Sequence, residues 1–287
     1  MPQIPDPSIV AEIEAIWRDK YAGSSEASLK KTLEFEMASV DIHRANLVPF
    51  VAGHGVRSGT RLLDFGSGPG CSAAAIAHDL GAHVVGVEPN AGNEVIAPRW
   101  SAAYAVSELT EFHFTQDTLH LPFEDASFDF VMTSSSLEYI KGDRGPYLRE
   151  MVRCLKTGGR LIVAGTSNAA WPREVHSQTW TLNWMPNLGP KIRERLGKNP
   201  DAERGITFGA ILAAAPELRF VKGERDELLA FAERVGSRAE ALPLVGGFMT
   251  SAAHRVLQAV DRGVASAVDW PAEAFLPWLN VGFEKVG

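Results

Sequence analysis

The chain has 287 residues, of which 45% are hydrophobic and 22% are charged, and its formal net charge is −7. These proportions are ordinary for a folded globular protein and exclude a disordered chain. Because phosphate binding needs basic surface, the acidic balance also argues against nucleic acid as a partner.

Three features of the sequence bear on the compartment. Cys71 and Cys154 offer neither a disulfide framework nor metal-ligand spacing, so we expect both to be reduced. The first seven residues contain three prolines and an acid, where a signal peptide would need positive charge and an apolar stretch. No apolar run reaches the ~18 residues that a membrane span requires. The expected location is the cytoplasm.

Helical spacing of apolar residues marks the beginning of the chain. Residues 9–21 and 29–50 each carry apolar side chains at helical intervals. The pattern predicts two or three helices ahead of the first strand.

The segment 61–70, RLLDFGSGPG, combines a short apolar run ending at Asp64 with a glycine-rich turn, and residues 71–77 predict a helix after it. A strand that ends in such a turn is a nucleotide-binding corner. Asp64 would repel a pyrophosphate there, and the dinucleotide pattern G-x-G-x-x-G fails because Cys71 takes its third glycine position. S-Adenosylmethionine fits better, since it has no phosphate and carries sulfonium and ammonium cations.

The next predicted strand ends in a second acid. Gly81 marks the end of the helix, and residues 83–88, HVVGVE, predict a strand that ends at Glu88. A carboxylate at this strand end can accept hydrogen bonds from both ribose hydroxyls of a nucleoside. Residues 91–107 then predict a crossover helix, with Pro98 interrupting it or marking its start.

Two strand-like runs, within 112–123 and 127–132, flank a turn. Asp129 lies inside the second run, so we expect it to make structural hydrogen bonds and to have no ligand role. From Pro146 the sequence predicts a helix that stops at Gly158-Gly159 and whose apolar face consists of Leu148, Met151, Val152 and Leu155. A strand from 161 to 164 follows.

These blocks, in this order, resemble the class I S-adenosylmethionine-dependent methyltransferases, and they cover roughly residues 60–168. Asp64, Gly66, Gly68 and Gly70 match the first motif of that family, D-x-G-x-G-x-G. The segments 117–129 and 155–159 are similar to its later blocks, D-x-x-x-L-P-F … F-D and L-K-P-G-G, with threonine in place of the proline.

The resemblance implies an α/β fold with a Rossmann-like, doubly wound, seven-stranded mixed sheet whose last strand is antiparallel. It divides the chain into an N-terminal helical cap (1–55), an S-adenosylmethionine-binding core (56–168) and a substrate cover that also completes the sheet (169–287), within one integrated domain. Closing strands are expected near 220–221 and 281–285, helices near 208–215, 225–235 and 251–263, and the pocket cover over 170–207.

The resemblance also implies which residues hold the cofactor. Asp117 would meet the adenine amino group, Thr118 would offer backbone contacts, and the N-terminal helices would lie over the cofactor, where Trp17 and Tyr21 either close the pocket or simply pack. The predicted cofactor-binding residues are Asp64, Gly66, Ser67, Gly68, Glu88, Pro89, Asp117, Thr118 and Ser134.

Methyl transfer from a sulfonium is an in-line displacement, so holding acceptor and methyl carbon in line supplies most of the catalysis. A hydroxyl or protonated amine acceptor also needs a base. Tyr139, where many relatives have L-E-H, and His176 are the catalytic candidates; the alternatives are a wall tyrosine and a surface or packing histidine. Because Ser134 to Ser136 with Tyr139 cannot reproduce the acidic and histidine ligands of some relatives, we predict no metal.

The distribution of tryptophan bears on the acceptor. Five of the seven tryptophans fall in the last 119 residues, which favours a small aromatic, lipid-like or sugar-bearing acceptor. A basic cluster at 191–198 either grips an acidic acceptor or forms a solvated helix face.

Three rival functions stay open. An aminopropyltransferase would need an acidic cavity, for which the segment 133–140 offers only Glu138. An NAD-linked oxidoreductase is disfavoured by Asp64 and Cys71. A non-catalytic protein would bind S-adenosylmethionine without turning it over.

Overall fold

The computed structural model describes residues 5–170, 195, 205–223, 271, 274 and 278–287. Predictions for 170–207 therefore fall mostly, and those for the helices at 225–235 and 251–263 entirely, outside the described residues. No helix in the described part of the chain is long and apolar enough to cross a membrane.

Six α-helices and seven strands are described. The helices are α1 (Pro7–Lys20), α2 (Glu26–Gly53), α3 (Cys71–Leu80), α4 (Ala97–Ala103), α5 (Gly145–Cys154) and α6 (Phe208–Ala214). The strands are β1 (Arg61–Phe65), β2 (His83–Glu88), β3 (Thr110–Phe114), β4 (Phe128–Ser134), β5 (Leu155–Ser167), β6 (Leu218–Gly223) and β7 (Trp278–Lys285).

The strands form one mixed sheet in the order β3-β2-β1-β4-β5-β7-β6. The first five strands are parallel, and β7 runs antiparallel to both of its neighbours, β5 and β6. The order reverses between β1 and β4, so the carboxyl ends of these strands border a crevice where doubly wound sheets bind ligands. The predicted seven-stranded Rossmann-like sheet is confirmed.

Both faces of the sheet are covered, as parallel strands require. Neighbouring residues Leu62 and Leu63 of β1 belong to different apolar clusters because side chains alternate along a strand. The first cluster includes residues of α1 to α4, and the second includes residues of α5 and α6. The core thus holds β1 from both sides and fixes the turn that follows it.

Local capping explains where the N-terminal helices begin. The Asp6 carboxylate accepts the Ser8 N–H at 2.9 Å, and the Ser25 hydroxyl accepts the Ser28 N–H at 3.3 Å. Two helices ahead of the sheet are confirmed. Trp17 is 3% exposed and stacks on Tyr21 with ring centroids 5.7 Å apart, so it packs in the core.

One predicted boundary is wrong. The helix that contains Leu148 and Met151 ends at Cys154, ahead of Gly158-Gly159, and β5 begins at Leu155. Leu155 pairs with Phe128 at the start of β4, and a register irregularity separates this pairing from the one between Arg160 and Phe130. Leu155 and the residues that follow it therefore belong to β5, whereas Gly158-Gly159 had predicted that the helix continues to them.

Candidate active site

The glycine-rich turn after β1 has left-handed backbone at three residues: φ is +79° at Gly66, +54° at Gly68 and +82° at Gly70. Side chains disfavour this region, so glycine suits each position. A Cβ on Gly70 would lie 2.8 Å from Ala97 Cβ, whereas a Cβ on Gly68 would meet no atom within 4 Å. The turn is thus packed against α4 at one end and leaves open space beside Gly68.

Asp64 lies beneath this turn and is 1% exposed. Its Oδ2 accepts a hydrogen bond from the Ser72 hydroxyl at 2.5 Å, and its Oδ1 has no hydrogen-bond partner among the described residues. Burial raises the pKa of Asp64 to about 7; the Ser72 hydrogen bond opposes this rise and the charge of Glu88 adds to it. At neutral pH the carboxyl group is therefore poised between its two protonation states.

Glu88 connects the glycine-rich turn to the end of β2. Its Oε2 accepts the Gly68 N–H and its Oε1 accepts the Asn90 N–H, each at 2.9 Å. The N–H groups of Gly66 and Ser67 also donate to Val87 O, at 2.8 and 3.1 Å. The two strand-end acids are thus held on one corner, and each oxygen of Glu88 keeps a second lone pair for a ligand donor.

The loop after β3 reaches the same corner. The Gln116 side-chain amide donates to Pro89 O, which joins this loop to the residues after Glu88. The Asp117 carboxylate accepts the N–H groups of Leu119 and His120 at 3.1 Å, and its pKa is lowered mainly by the His120 side chain. Asp117 therefore orders its own loop, and its predicted adenine contact stays a prediction, as does the role of Thr118.

The end of β4 is joined to the glycine-rich turn. The Ser136 hydroxyl lies 3.1 Å from Gly66 O and 2.8 Å from Ser134 O. Ser135 has a left-handed φ of +49° and donates from its hydroxyl to Gly165 O at 2.9 Å. This fixed segment leads into Tyr139, whose side chain is exposed.

The other catalytic candidate, His176, lies outside the described residues, as does most of the basic cluster. Asp129 has the predicted structural role: its Oδ2 accepts the Arg61 N–H at 2.9 Å and its Oδ1 accepts Lys156 Nζ at 2.7 Å. Cys71 and Cys154 are free and buried.

Several residues that organise the corner were not predicted. Ser72 holds Asp64, and Lys20 Nζ of α1 lies 3.5 Å from Asn93 Oδ1 after β2. Glu150 of α5 accepts the Leu121 N–H at 2.6 Å and pairs with Arg153 at 2.7 Å. Apart from the Glu150–Arg153 pair within α5, the sequence gives no signal for these contacts, because the two partners belong to different parts of the fold.

The corner has the features that an adenosyl ligand with an amino group requires. Asp64 Oδ1 and Ser67 Oγ are buried oxygens without hydrogen-bond partners among the described residues, and the space beside Gly68 is open. Within the described chain, no group of three or more His, Cys, Asp or Glu side chains is placed to hold a metal ion. The predicted absence of a metal stays a prediction.

The sheet order, the antiparallel seventh strand and the glycine-rich turn between two strand-end acids form the arrangement that the resemblance to class I methyltransferases predicts. Residues 63–163 match the family model described as a methyltransferase domain. The sequence resemblance is therefore confirmed for this core.

Two curated relatives and one solved structure illustrate what the chain is similar to. The methyltransferase GfsG of Streptomyces halstedii is 34% identical over 109 residues, which are 38% of each chain. The ubiquinone/menaquinone biosynthesis C-methyltransferase UbiE of Xylella fastidiosa (strain M12) is 30% identical over 157 residues, covering 54% of this chain and 61% of the relative. A geranyl diphosphate methyltransferase in complex with SAM has a TM-score of 0.53 at 19% identity, covering 85% of each chain.

The matches to the two curated relatives span less than two thirds of the length of either. The likeness to the solved structure, at its low identity, shows a shared fold.

Proposed function

We propose that this chain is an S-adenosyl-L-methionine-dependent methyltransferase that moves a methyl group to an O, N or C atom of a small organic acceptor. The observation that carries the proposal is the corner where Asp64, Glu88 and the open side of Gly68 lie together. Its two carboxyl groups suit a cationic, phosphate-free nucleoside and oppose a pyrophosphate.

Each predicted cofactor-binding residue has a role in this proposal. Glu88 accepts hydrogen bonds from the ribose hydroxyls, and Asp64 Oδ1 accepts from the amino group. Asp117 and Thr118 contact the adenine from the loop that Gln116 ties to Pro89. The remaining members, Gly66, Ser67, Gly68, Pro89 and Ser134, line the corner with their backbone.

When bound, S-adenosylmethionine supplies an electrophilic methyl group on a sulfonium. The chain's own contribution is to hold the acceptor in line with that group and to exclude water. Tyr139 follows the segment that Ser136 fixes to the glycine-rich turn, so it is suited to hold or deprotonate an acceptor hydroxyl. His176 is the second candidate for this role.

The acceptor class is a small aromatic, lipid-like or sugar-bearing molecule. The names of the relatives support it: one acts in quinone biosynthesis and another on geranyl diphosphate. Nucleic acid is not among the proposed partners, because the net charge is −7. A membrane is not among them either, because no apolar run reaches ~18 residues. The proposed compartment is the cytoplasm, whose reducing conditions suit free cysteines.

The test has two parts. Mass spectrometry identifies ligands that stay with the full chain through purification, and calorimetry measures its affinity for S-adenosylmethionine and NADH. An acceptor screen then scores release of S-adenosylhomocysteine. Acceptor-dependent release supports the proposal.

Other outcomes would refute it. Tight uptake of NADH in preference to S-adenosylmethionine would indicate an oxidoreductase, and transfer from the decarboxylated cofactor to a polyamine would indicate an aminopropyltransferase. Binding of S-adenosylmethionine without release against any acceptor class would leave a non-catalytic binding protein.

The catalytic candidates need a separate measurement once an acceptor is found. Tyr139→Phe and His176→Gln should each lower kcat by about a hundredfold if the side chain transfers the proton, with cofactor affinity unchanged. A variant with full turnover and intact cofactor binding removes that residue from the mechanism.

A further inference from the structure

Ser72 lies in the first turn of α3 and is 6% exposed. Its hydroxyl is 2.5 Å from Asp64 Oδ2, and the two residues are eight positions apart on different elements. The bond occupies one carboxylate oxygen and leaves Oδ1 without a partner among the described residues. A buried acceptor in this state gains most from a ligand that brings a donor.

We propose that Ser72 is a positioning residue that presents Asp64 Oδ1 to the ammonium group of S-adenosylmethionine, and that cofactor binding releases a proton from Asp64. The inference rests on the function proposed above. It adds a proton-coupled step and a residue to that function.

The surroundings of Asp64 disfavour its charged form in the free protein. Burial raises its pKa to about 7, and the negative charge of Glu88 on β2 adds to the rise. The residues beside Asp64 in the sheet, Gly86 on β2 and Met132 on β4, are uncharged. The Cys71 thiol next to Ser72 is neutral as well, because burial raises its pKa far above the usual range.

A cation at Oδ1 reverses this balance. An ammonium group favours the carboxylate, so the carboxyl O–H bond breaks and its proton passes to the solvent. Linkage then requires that affinity rise with pH through the pKa of the free carboxyl group. With a pKa near 7, affinity should increase about tenfold between pH 6 and pH 8.

Ser72 sets the pH at which Asp64 ionises and cofactor affinity rises. Its hydroxyl donates to the carboxylate and lowers the pKa of Asp64, against the effect of burial. Without the hydroxyl the transition moves to higher pH. A shift of about one unit would weaken binding roughly fivefold at pH 7 and less than about twofold at pH 8.

The experiment measures S-adenosylmethionine affinity of the full chain by calorimetry from pH 6 to pH 8, in two buffers of different ionisation enthalpy. The wild-type protein should release nearly one proton per cofactor at pH 6, and Asp64→Asn should show no such release. The amine of the cofactor also titrates, but it does so equally for every variant. Its contribution therefore cancels in the ratio of two variants' affinities at each pH.

Two further variants isolate the role of the Ser72 hydroxyl. Ser72→Ala should move the transition upward, and Ser72→Thr, which keeps a hydroxyl, should restore it. Ser101→Ala is the matched control, because Ser101 is a 1% exposed helical serine whose hydroxyl has no hydrogen-bond partner among the described residues. Its pH profile should equal that of the wild type.

Each alternative result is distinct. Binding without proton release, or a Ser72→Ala loss of the same factor at every pH, overturns the inference and leaves the proposed function standing. An absence of any cofactor binding by the wild-type protein overturns both. If Ser72→Ala does not fold, the comparison of wild type with Asp64→Asn still decides whether the proton comes from Asp64.

Discussion

The hydroxyl of Ser67 occupies the space where Gly86 would carry a side chain. A Cβ on Gly86 would lie 2.6 Å from Ser67 Oγ and 2.7 Å from Phe112 Cδ1. The glycine of β2 thus lets the glycine-rich turn settle onto the sheet. Close approach here depends on the missing side chain, because Gly86 does not have a positive φ.

Gly86→Ala should therefore displace the turn. We expect a loss of about 1–3 kcal/mol in the free energy of unfolding, as for other overpacked core sites, and about tenfold weaker cofactor binding. Urea unfolding and calorimetry measure the two effects. Gly23→Ala, where an added Cβ meets nothing within 4 Å, is the control and should be neutral. Wild-type affinity in Gly86→Ala would contradict the role of this contact.

Glu88→Gln should separate the turn from the end of β2. The substitution replaces one accepting oxygen by an NH₂ group, so either the Gly68 or the Asn90 N–H loses its acceptor. Loss of a charged hydrogen bond, together with the ribose contact, should weaken cofactor binding about 10- to 100-fold. Calorimetry with Glu94→Gln, an exposed neighbour, provides the comparison. Equal cofactor affinities of Glu88→Gln and Glu94→Gln would show that the Glu88 carboxylate does not contribute to cofactor binding.

Asp129→Asn should alter stability and leave the cofactor site unchanged. Burial acts to raise the pKa of Asp129, but hydrogen bonds from Lys156 and Arg61 outweigh it, so the pKa is lowered. Because the pKa of Asp129 is lower in the folded protein than its unfolded value of 3.8, the ionised carboxylate stabilises the fold at pH values above 3.8. This stabilisation is lost as the pH falls through the pKa of the folded protein.

With the Asp129 side chain 35% exposed, solvent screening limits the effect to about 0.5–1 kcal/mol. Urea unfolding should show this difference between wild type and Asp129→Asn at pH 7, and the difference should shrink as the pH falls below 3.8. Glu124→Gln, at an exposed loop position, should match the wild type throughout. A difference that persists undiminished in acid would exclude the ionised pair as its cause.

Arg153→Gln should loosen the loop that carries Asp117 and Thr118. Arg153 donates to Phe123 O at 2.8 Å and to Leu121 O at 3.3 Å, and it pairs with Glu150. Leaving Glu150 without this partner should cost about 1–3 kcal/mol of stability and weaken cofactor binding several-fold.

Thermal unfolding and calorimetry test the Arg153 prediction. Arg149→Gln, an exposed arginine one turn earlier on α5, should leave both quantities unchanged. Equal behaviour of the two variants would show that the Arg153 contacts do not stabilise the loop.

Local patterns were sufficient for much of the sheet and for the two strand-end acids. Asp64 and Glu88 stand at the ends of apolar runs, and the end of a parallel strand is where a ligand site forms. The end of α5 was missed because Gly158 and Gly159 signal a helix stop, whereas pairing of Leu155 with Phe128 decides the boundary.

The supporting contacts could not be predicted for a different reason. Ser136 and Gly66 are 70 positions apart, and Glu150 and Leu121 are 29 apart. Periodicity indicates which face of an element is buried, but it does not identify the polar partner that another element brings. Such pairs become visible only when the elements are packed together.

The position of β7 between β5 and β6 has a consequence for synthesis on the ribosome. β7 is made after β6 yet separates it from β5, so the two earlier strands have no shared partner until residues 278–285 have emerged. Until then the nascent chain exposes an open edge on β5, and an unpaired strand invites wrong pairing with other chains. Chaperone engagement would be most useful before β7 is available to close the sheet.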